Sequence, residues 1–360
     1  MSTRNLVTAF LRTPACTESF SLPDWDLLLR QAQRADLTAR IYWLLREENR
    51  LHAVPARALP YLENAWVLSE RQRSAVAWEL KNIGKILRDL DIQVILLKGA
   101  AYFSAGLPAA NGRVLSDIDI LVPQEAIADV EAAFIRHGWV STHLDAYDQR
   151  YYRRWMHEIP PIEHPKRGTV LDIHHAILPI TARIQPDMDK LRQAAIPLNR
   201  EGGFATLAPS DMILHSAAHL FYDSELGHGL RDLVDLDALL RDYGMQPGFW
   251  EQLLRRANEV GLSRALYYAL RYTQRILGTP IPTTAIRQSE TDAPLIGLRW
   301  LMDCLYTRAL IPHHPSCKNI WADLADLALF IRGHWLRMPP WLLLRHLFHK
   351  AFITPKDKAT

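Results

Sequence analysis

Cysteine is scarce in this chain. Cys16, Cys304 and Cys317 are an odd set with no CxxC spacing. That excludes a disulfide framework and a cysteine zinc site of the usual pattern. Long apolar runs are missing too. No stretch of uncharged apolar residues reaches the length a membrane-spanning helix needs. The first 21 residues carry charges and no long apolar core, which argues against a secretory leader. Together these absences point to a reducing cytoplasm. Neither sign of charge dominates: 42 Lys and Arg against 39 Asp and Glu leave +3. That mild balance argues against a protein that coats long nucleic acid. Internal repeats and low-complexity tracts are also absent.

What is present is an ordinary globular composition, 49% hydrophobic and 22% charged over 360 residues. This is enough chain for about two domains and a sizeable core. Residues 24–90 read as helices, with apolar side chains such as Trp25, Leu28 and Ala32, then Leu80, Ile83 and Leu87, at helical spacing. The texture then changes. Residues 93–97 form a short β-branched and leucine run that reads as a buried strand. Residues 100–105 suit a short helix and 114–122 a second strand. Pro123 suits the opening of a helix to Arg136, closed by Gly138. Residues 139–143 suit a third strand, and 159–165 and 169–177 an antiparallel pair. Beyond about 200 the chain is helical again, with Ser210 as the expected cap of a helix starting at Pro209. Helices are also expected over 226–243, 249–260 and 262–277. The expectation is an α+β fold: N-terminal helices over 1–90, a small mixed sheet core over 91–200 and an all-helical region over 201–360.

The chemistry concentrates in two segments, Leu96-Leu-Lys-Gly-Ala100 and Arg113-Val-Leu-Ser-Asp-Ile-Asp-Ile-Leu-Val122. Asp117 and Asp119 are two apart on an expected strand, so they share one face while Ile118 and Ile120 face a core. Two neighbouring carboxylates repel and call for a cation, and oxygen ligands suit Mg²⁺ (or Mn²⁺). Asp172, between Leu171 and Ile173, offers a third carboxylate. Three carboxylates on adjacent strands would hold one or two divalent ions. Gly99 lies at a strand-to-helix turn, where backbone N–H groups can meet phosphate. Lys98 and Arg113 are nearby cations suited to a triphosphate.

This arrangement of a strand, a glycine turn with a helix, an Asp-x-Asp strand and a later aspartate resembles the polymerase-β-like nucleotidyltransferase superfamily. More closely, Leu-Lys-Gly-Ala, Arg-x-Leu-Ser-Asp-Ile-Asp-Ile-Leu-Val and Asp172-Ile-His174 resemble a bacterial family of uncharacterised nucleotidyltransferases. Leu207-Ala-Pro-Ser-Asp-Met-Ile-Leu-His215, with His219 and Arg231-Asp-Leu-Val-Asp235, is similar to the helical segment that follows there. The resemblance covers about 90–240. It implies that Gly99 serves the phosphate turn, with Lys98, Ala100, Arg113, Ser116 and His174 around the nucleotide. Asp117 and Asp119 would bind both metals. Asp172 would bind the catalytic metal and help deprotonate an acceptor hydroxyl. The implied reaction moves a nucleoside monophosphate from an NTP, taken as ATP, to that hydroxyl and releases pyrophosphate. The superfamily usually has Gly-Ser or Gly-Gly where this chain has Gly99-Ala100, so one hydroxyl contact to phosphate is lacking. The 18 positions from Gly99 to Asp117 also exceed the spacing of minimal members.

Other features admit alternatives. That altered turn also fits a catalytically weak nucleotide-binding protein on the same fold. His157 and His164 flank an expected strand and suggest a zinc site, and with His174 and His175 they suggest a metal-dependent hydrolase. Asp211, His215 and His219 lie at i, i+4 and i+8 of one helix, which fits packing better than chelation. Arg150-Tyr-Tyr-Arg-Arg-Trp155 reads as an exposed amphipathic edge, or as a mixture of cations and aromatics that stacks bases and holds phosphates beside the nucleotide or acceptor. Residues 341–352 alternate apolar and basic groups, which suits docking on the preceding helices or contact with an anionic membrane surface.

Overall fold

A computed structural model describes residues 4–143, 145–198, 202–223, 226–339 and 342–343. The chain opens with α1 (Leu6–Arg12), α2 (Leu22–Arg34), α3 (Thr38–Glu47) and the long α4 (Leu59–Leu87). β1 (Val94–Leu96) leads directly into α5 (Lys98–Ser104), followed by β2 (Ile118–Leu121), α6 (Ile127–Arg136), β3 (Val140–Ser141) and α7 (Ala146–Trp155). β4 (Ile162–His164), β5 (Thr169–His174), α8 (Met188–Gln193), β6 (Ile196–Pro197) and β7 (Phe204–Thr206) complete the sheet region. Among the described residues the α-helices that follow are α9 (Pro209–Tyr222), α10 (Gly229–Tyr243), α11 (Phe249–Glu259), α12 (Ser263–Tyr272), α13 (Thr283–Ser289), α14 (Ile296–Ala309) and α15 (Ile320–Arg337).

The α+β class expected from the sequence is the one found. The seven strands form one mixed sheet in the order β3-β4-β5-β2-β1-β7-β6. β2 runs parallel to β5 and antiparallel to β1, and β1 runs parallel to β7. Every residue of β1 and β2 is buried, which explains their continuous apolar texture. One contiguous apolar core runs from Leu6 to Leu329, through both the sheet and the helices around it. Among the described residues no helix is long and apolar enough to cross a membrane.

Several boundaries differ from the sequence reading, each for a physical reason. The second strand is Ile118–Leu121 only, so Asp117 precedes it. Residues 113–117 lie outside the ladder, and at Leu115 the side chain of Gln72 from α4 takes the partner's place. Its Oε1 accepts the Leu115 N–H at 2.9 Å and its Nε2 donates to the Leu115 carbonyl, satisfying a backbone that a strand would otherwise pair. The third strand shrinks to Val140–Ser141, and Trp139 buries its ring against Phe134 instead. The antiparallel pair is real but shorter, with Gly168 (φ 65°) in the connecting turn. Pro123 precedes a single 3₁₀ turn, and α6 begins at Ile127. The short helix starts at Lys98, two residues early. Ser210 is not a cap. Pro209 takes the first helical turn and Ala208 is the extended residue before it, as proline demands of its predecessor. The helix expected to reach Leu277 changes at Thr273 into one π turn, closed by Gly278 in the left-handed region. The amphipathic segment 341–352 lies outside the described residues except for Leu342, which is buried, and Leu343, which packs on the cluster of Tyr151, Met156 and Met338.

Candidate functional site

The site begins with strand register. Asp119 of β2 stands directly opposite Asp172 of the parallel strand β5, and Leu121 opposite His174. Directly opposed residues on paired strands share a face, as do residues i and i+2 on one strand. Asp119, Asp172 and His174 therefore converge, each offering a ligand atom within 4.8 Å of the others.

Lys98 closes this cluster. It follows β1 with a left-handed backbone, φ 44°, a conformation that costs a residue with a Cβ and persists where its surroundings enforce it. The turn is pinned by the Leu97 N–H donating to the Asp119 carbonyl at 3.0 Å. The result is a Lys98 Nζ that donates to Asp119 Oδ1 at 2.9 Å. His174 Nε2 meets the same oxygen at 3.1 Å, and Glu158 Oε2 lies 3.2 Å from His174 Nδ1.

The electrostatics are asymmetric. Burial raises the Asp119 pKa, but Lys98 and His174 outweigh it and hold this carboxyl well below the usual range. Burial likewise opposes the charge on Lys98, and Asp119 outweighs it in turn. Burial works against protonation of His174, yet its bond to Asp119 and the nearby Glu158 carboxylate raise its pKa. Asp172 has no such help. Burial, then the Asp119 charge, push it up to about 7. Its Oδ1 is buried without a hydrogen-bond partner.

The remaining expected site residues are distributed around this cluster. Asp117 is half-buried at the rim, accepts the Ser116 hydroxyl at 3.0 Å and is not among the converging ligands. Ser116 is exposed. A cavity of about 330 Å³ opens beside them, lined by Lys98, Arg113, Asp117, His219, Arg231 and Asp232 among others. Its far wall is α9 and α10, so the helical region completes the cleft.

Arg113 lines that cavity, but its charge is already engaged. Its Nε donates to Asp235 Oδ2 at 2.6 Å, both groups are buried, and Arg40 lies 3.7 Å from the other Asp235 oxygen. Gly99 is buried inside α5, where a Cβ would collide with the Arg113 guanidinium and Leu115. The glycine is thus required for that close approach. Ala100 is buried in the same helix turn.

The four-histidine set does not assemble. His164 pairs with Thr169, five residues from His174 along β5, a separation of about 16 Å at strand rise. It packs edge-on to Trp139. His157 does approach His174, with ring centroids 5.2 Å apart. Asp211 binds Arg256 at 2.7 Å and joins α9 to α11, so the Asp211, His215 and His219 series packs helices, while His219 turns to the cavity. In α7, Arg153 pairs with Glu131 and Tyr151 packs against Met338, an amphipathic edge as expected.

Sequence reasoning assigned no role to Glu158, Arg231, Asp232, Asp235 or Gln72. The Arg231-Asp232 and Asp235 spacing on one helix was a usable signal, because i and i+4 share a face. Glu158 required knowledge of its pairing with His174 across the sheet.

The fold and site together define an α+β protein with an acidic pair, a lysine and a histidine on one face of a mixed sheet, the lysine also lining a helix-walled cleft. Residues 21–278 match the family described as uncharacterised nucleotidyltransferases, and the chain belongs to that family. The match extends well beyond the 90–240 span of the motifs, from the residue before α2 to the glycine that closes the π turn. No curated protein matches the chain.

Proposed function

We propose that this protein is a metal-dependent nucleotidyltransferase that moves a nucleoside monophosphate from an NTP, ATP in the first instance, to a hydroxyl acceptor and releases pyrophosphate. The observation that carries the reading is the pair Asp119 and Asp172, in register on parallel strands, Asp119 buried and Asp172 half-buried with a buried Oδ1 that lacks a partner. A buried carboxylate without a partner is costly unless a cation completes it.

The residues present fit a divalent ion. Two carboxylates suit Mg²⁺ or Mn²⁺, with His174 orienting Asp119. Such an ion, when bound, supplies charge neutralisation at the transferring phosphoryl group. The chain's own residues supply the rest. Lys98 holds Asp119 ionised and oriented. Asp117 and Ser116 form the rim through which a nucleotide would enter. Lys98 and Arg231 give the cavity its cationic wall for phosphate oxygens. Asp172 would help take the proton of the attacking hydroxyl through the carboxylate oxygen not engaged by the ion. In this reading the sheet region 91–200 performs the chemistry, 1–90 buttresses it through Gln72, and 201–360 selects the acceptor.

The test is transfer of label from α-labelled NTPs, with Mg²⁺ or Mn²⁺, into pools of sugars, RNA ends and protein hydroxyls. Metal-dependent incorporation that disappears in Asp119→Asn supports the reading. Incorporation unchanged by that substitution would remove it.

A further inference from the structure

The side of His174 turned away from Asp119 carries a second constellation. His157, Glu158 and His174 each offer a ligand atom within 4.8 Å of the others. We propose that these three residues form a separate centre for a zinc-like transition ion, back to back with the carboxylate pair and sharing His174 with it.

The spacing supports this. Tetrahedral zinc with bonds near 2.0–2.1 Å has ligand-to-ligand edges of about 3.3 Å. Glu158 Oε2 and His174 Nδ1 are 3.2 Å apart. They are close, yet His174 Nδ1 has no hydrogen-bond partner, and His157 Nδ1 is also buried without one. Short separation without hydrogen-bond geometry is what two ligands of one ion display. Buried imidazole nitrogens otherwise find partners.

The surroundings are those of a metal-binding histidine. Such a residue usually gives its other ring N–H to a carboxylate, which fixes its tautomer and orientation. His174 Nε2 lies 3.1 Å from Asp119 Oδ1. The backbone holds the three ligands in place. Glu158 pairs with His174 as a bridge, and the His175 N–H donates to the His157 carbonyl at 2.8 Å. Two imidazoles and one carboxylate select zinc or cobalt over Mg²⁺, which prefers oxygen. Three ligands leave a fourth position for water or another donor. An ion here would keep His174 as a neutral imidazole donating through Nε2, and so would set the orientation of Asp119.

The centre stands on its own geometry and does not require nucleotide transfer. Its test is titration of Co²⁺ into the full chain after removal of bound metal with chelator. The readouts are visible absorption of tetrahedral cobalt and competition by Zn²⁺, with circular dichroism to establish folding. One tetrahedral cobalt per chain is expected in wild type and in Asp172→Asn. His157→Ala, or Glu158→Gln where the alanine variant does not fold, is expected to weaken binding at least about 100-fold, as removal of a whole ligand should exceed the loss from outer partners. Folded wild type that gives no tetrahedral band, a band that survives both ligand substitutions, or one that disappears in Asp172→Asn would each overturn the proposal. NTP binding measured on the same samples keeps that result separate from the nucleotidyltransferase reading.

Discussion

Two buried charge clusters sit a few residues apart in this protein, and they are built differently. In one, Asp235 of α10 lies between Arg113 and Arg40, and Arg40 also donates to the carbonyls of Pro108 and Ala109. Cations outnumber acids there, and most donors are satisfied. In the other, the lysine serves Asp119 alone, and its neighbour Asp172 keeps one buried carboxylate oxygen without a partner. The first cluster ties the sheet to the helices. The second leaves negative charge uncompensated at the edge of a cavity, which is the condition for binding a cation and holding a substrate. A buried ion pair is weak evidence of function in itself, whereas an unbalanced one beside a cleft is a functional candidate.

The largest effect expected from breaking this contrast is on chemistry. Asp119→Asn with Asp172→Asn should lower nucleotide transfer by roughly 10³-fold or more, since several kcal/mol of charge stabilisation are lost. The melting temperature should fall, because Asp119→Asn leaves the buried Lys98 without its ion-pair partner, while Asp172→Asn alone removes a repulsion and should hold or raise it. Asp235→Ala should act chiefly on stability. It leaves two buried guanidinium groups unpaired and should cost about 3–5 kcal/mol, read from urea denaturation.

pH sharpens the comparison. The Asp172 carboxyl titrates at about 7 in the folded chain against an ordinary value of 3.8. The folded state therefore binds the extra proton between those values, and metal-free stability should fall as pH rises through that window. The loss should be roughly 2–4 kcal/mol and absent in Asp172→Asn. Denaturation at pH 4 and pH 8 in chelator measures it, and millimolar Mn²⁺ should restore wild type alone. The smallest effect is expected from Gly99→Ala. Its Cβ displaces Arg113 and Leu115, which should cost about 1–3 kcal/mol as overpacking and should be eased by Leu115→Ala.

The acidic pair was legible in the sequence because burial on both faces leaves few reasons for aspartate in an apolar strand. Asp119 and Asp172 stood out that way and His174 by strand alternation, and the parallel register of β2 and β5 brings the three together. Asp117 was misplaced because alternation was extended one residue past the strand, where Gln72 captures the backbone. Arg113 and Gly99 read as phosphate contacts because nothing local announces a partner 122 residues away. Glu158 escaped for the same reason: its role depends on a bridge to a strand that begins eleven residues later. Local periodicity found the helices, and long-range polar partners decided where the strands stop.

The central claim is that Asp119 and Asp172 hold a divalent ion on which an NTP depends. Calorimetric titration of ATP, GTP, CTP and UTP, with and without Mg²⁺, into wild type and Asp119→Asn/Asp172→Asn tests it most directly. Binding of at least one NTP that requires Mg²⁺ and is lost in the double variant is the predicted result. Binding that is indifferent to both the metal and the two aspartates, or no binding to folded wild type, would contradict it.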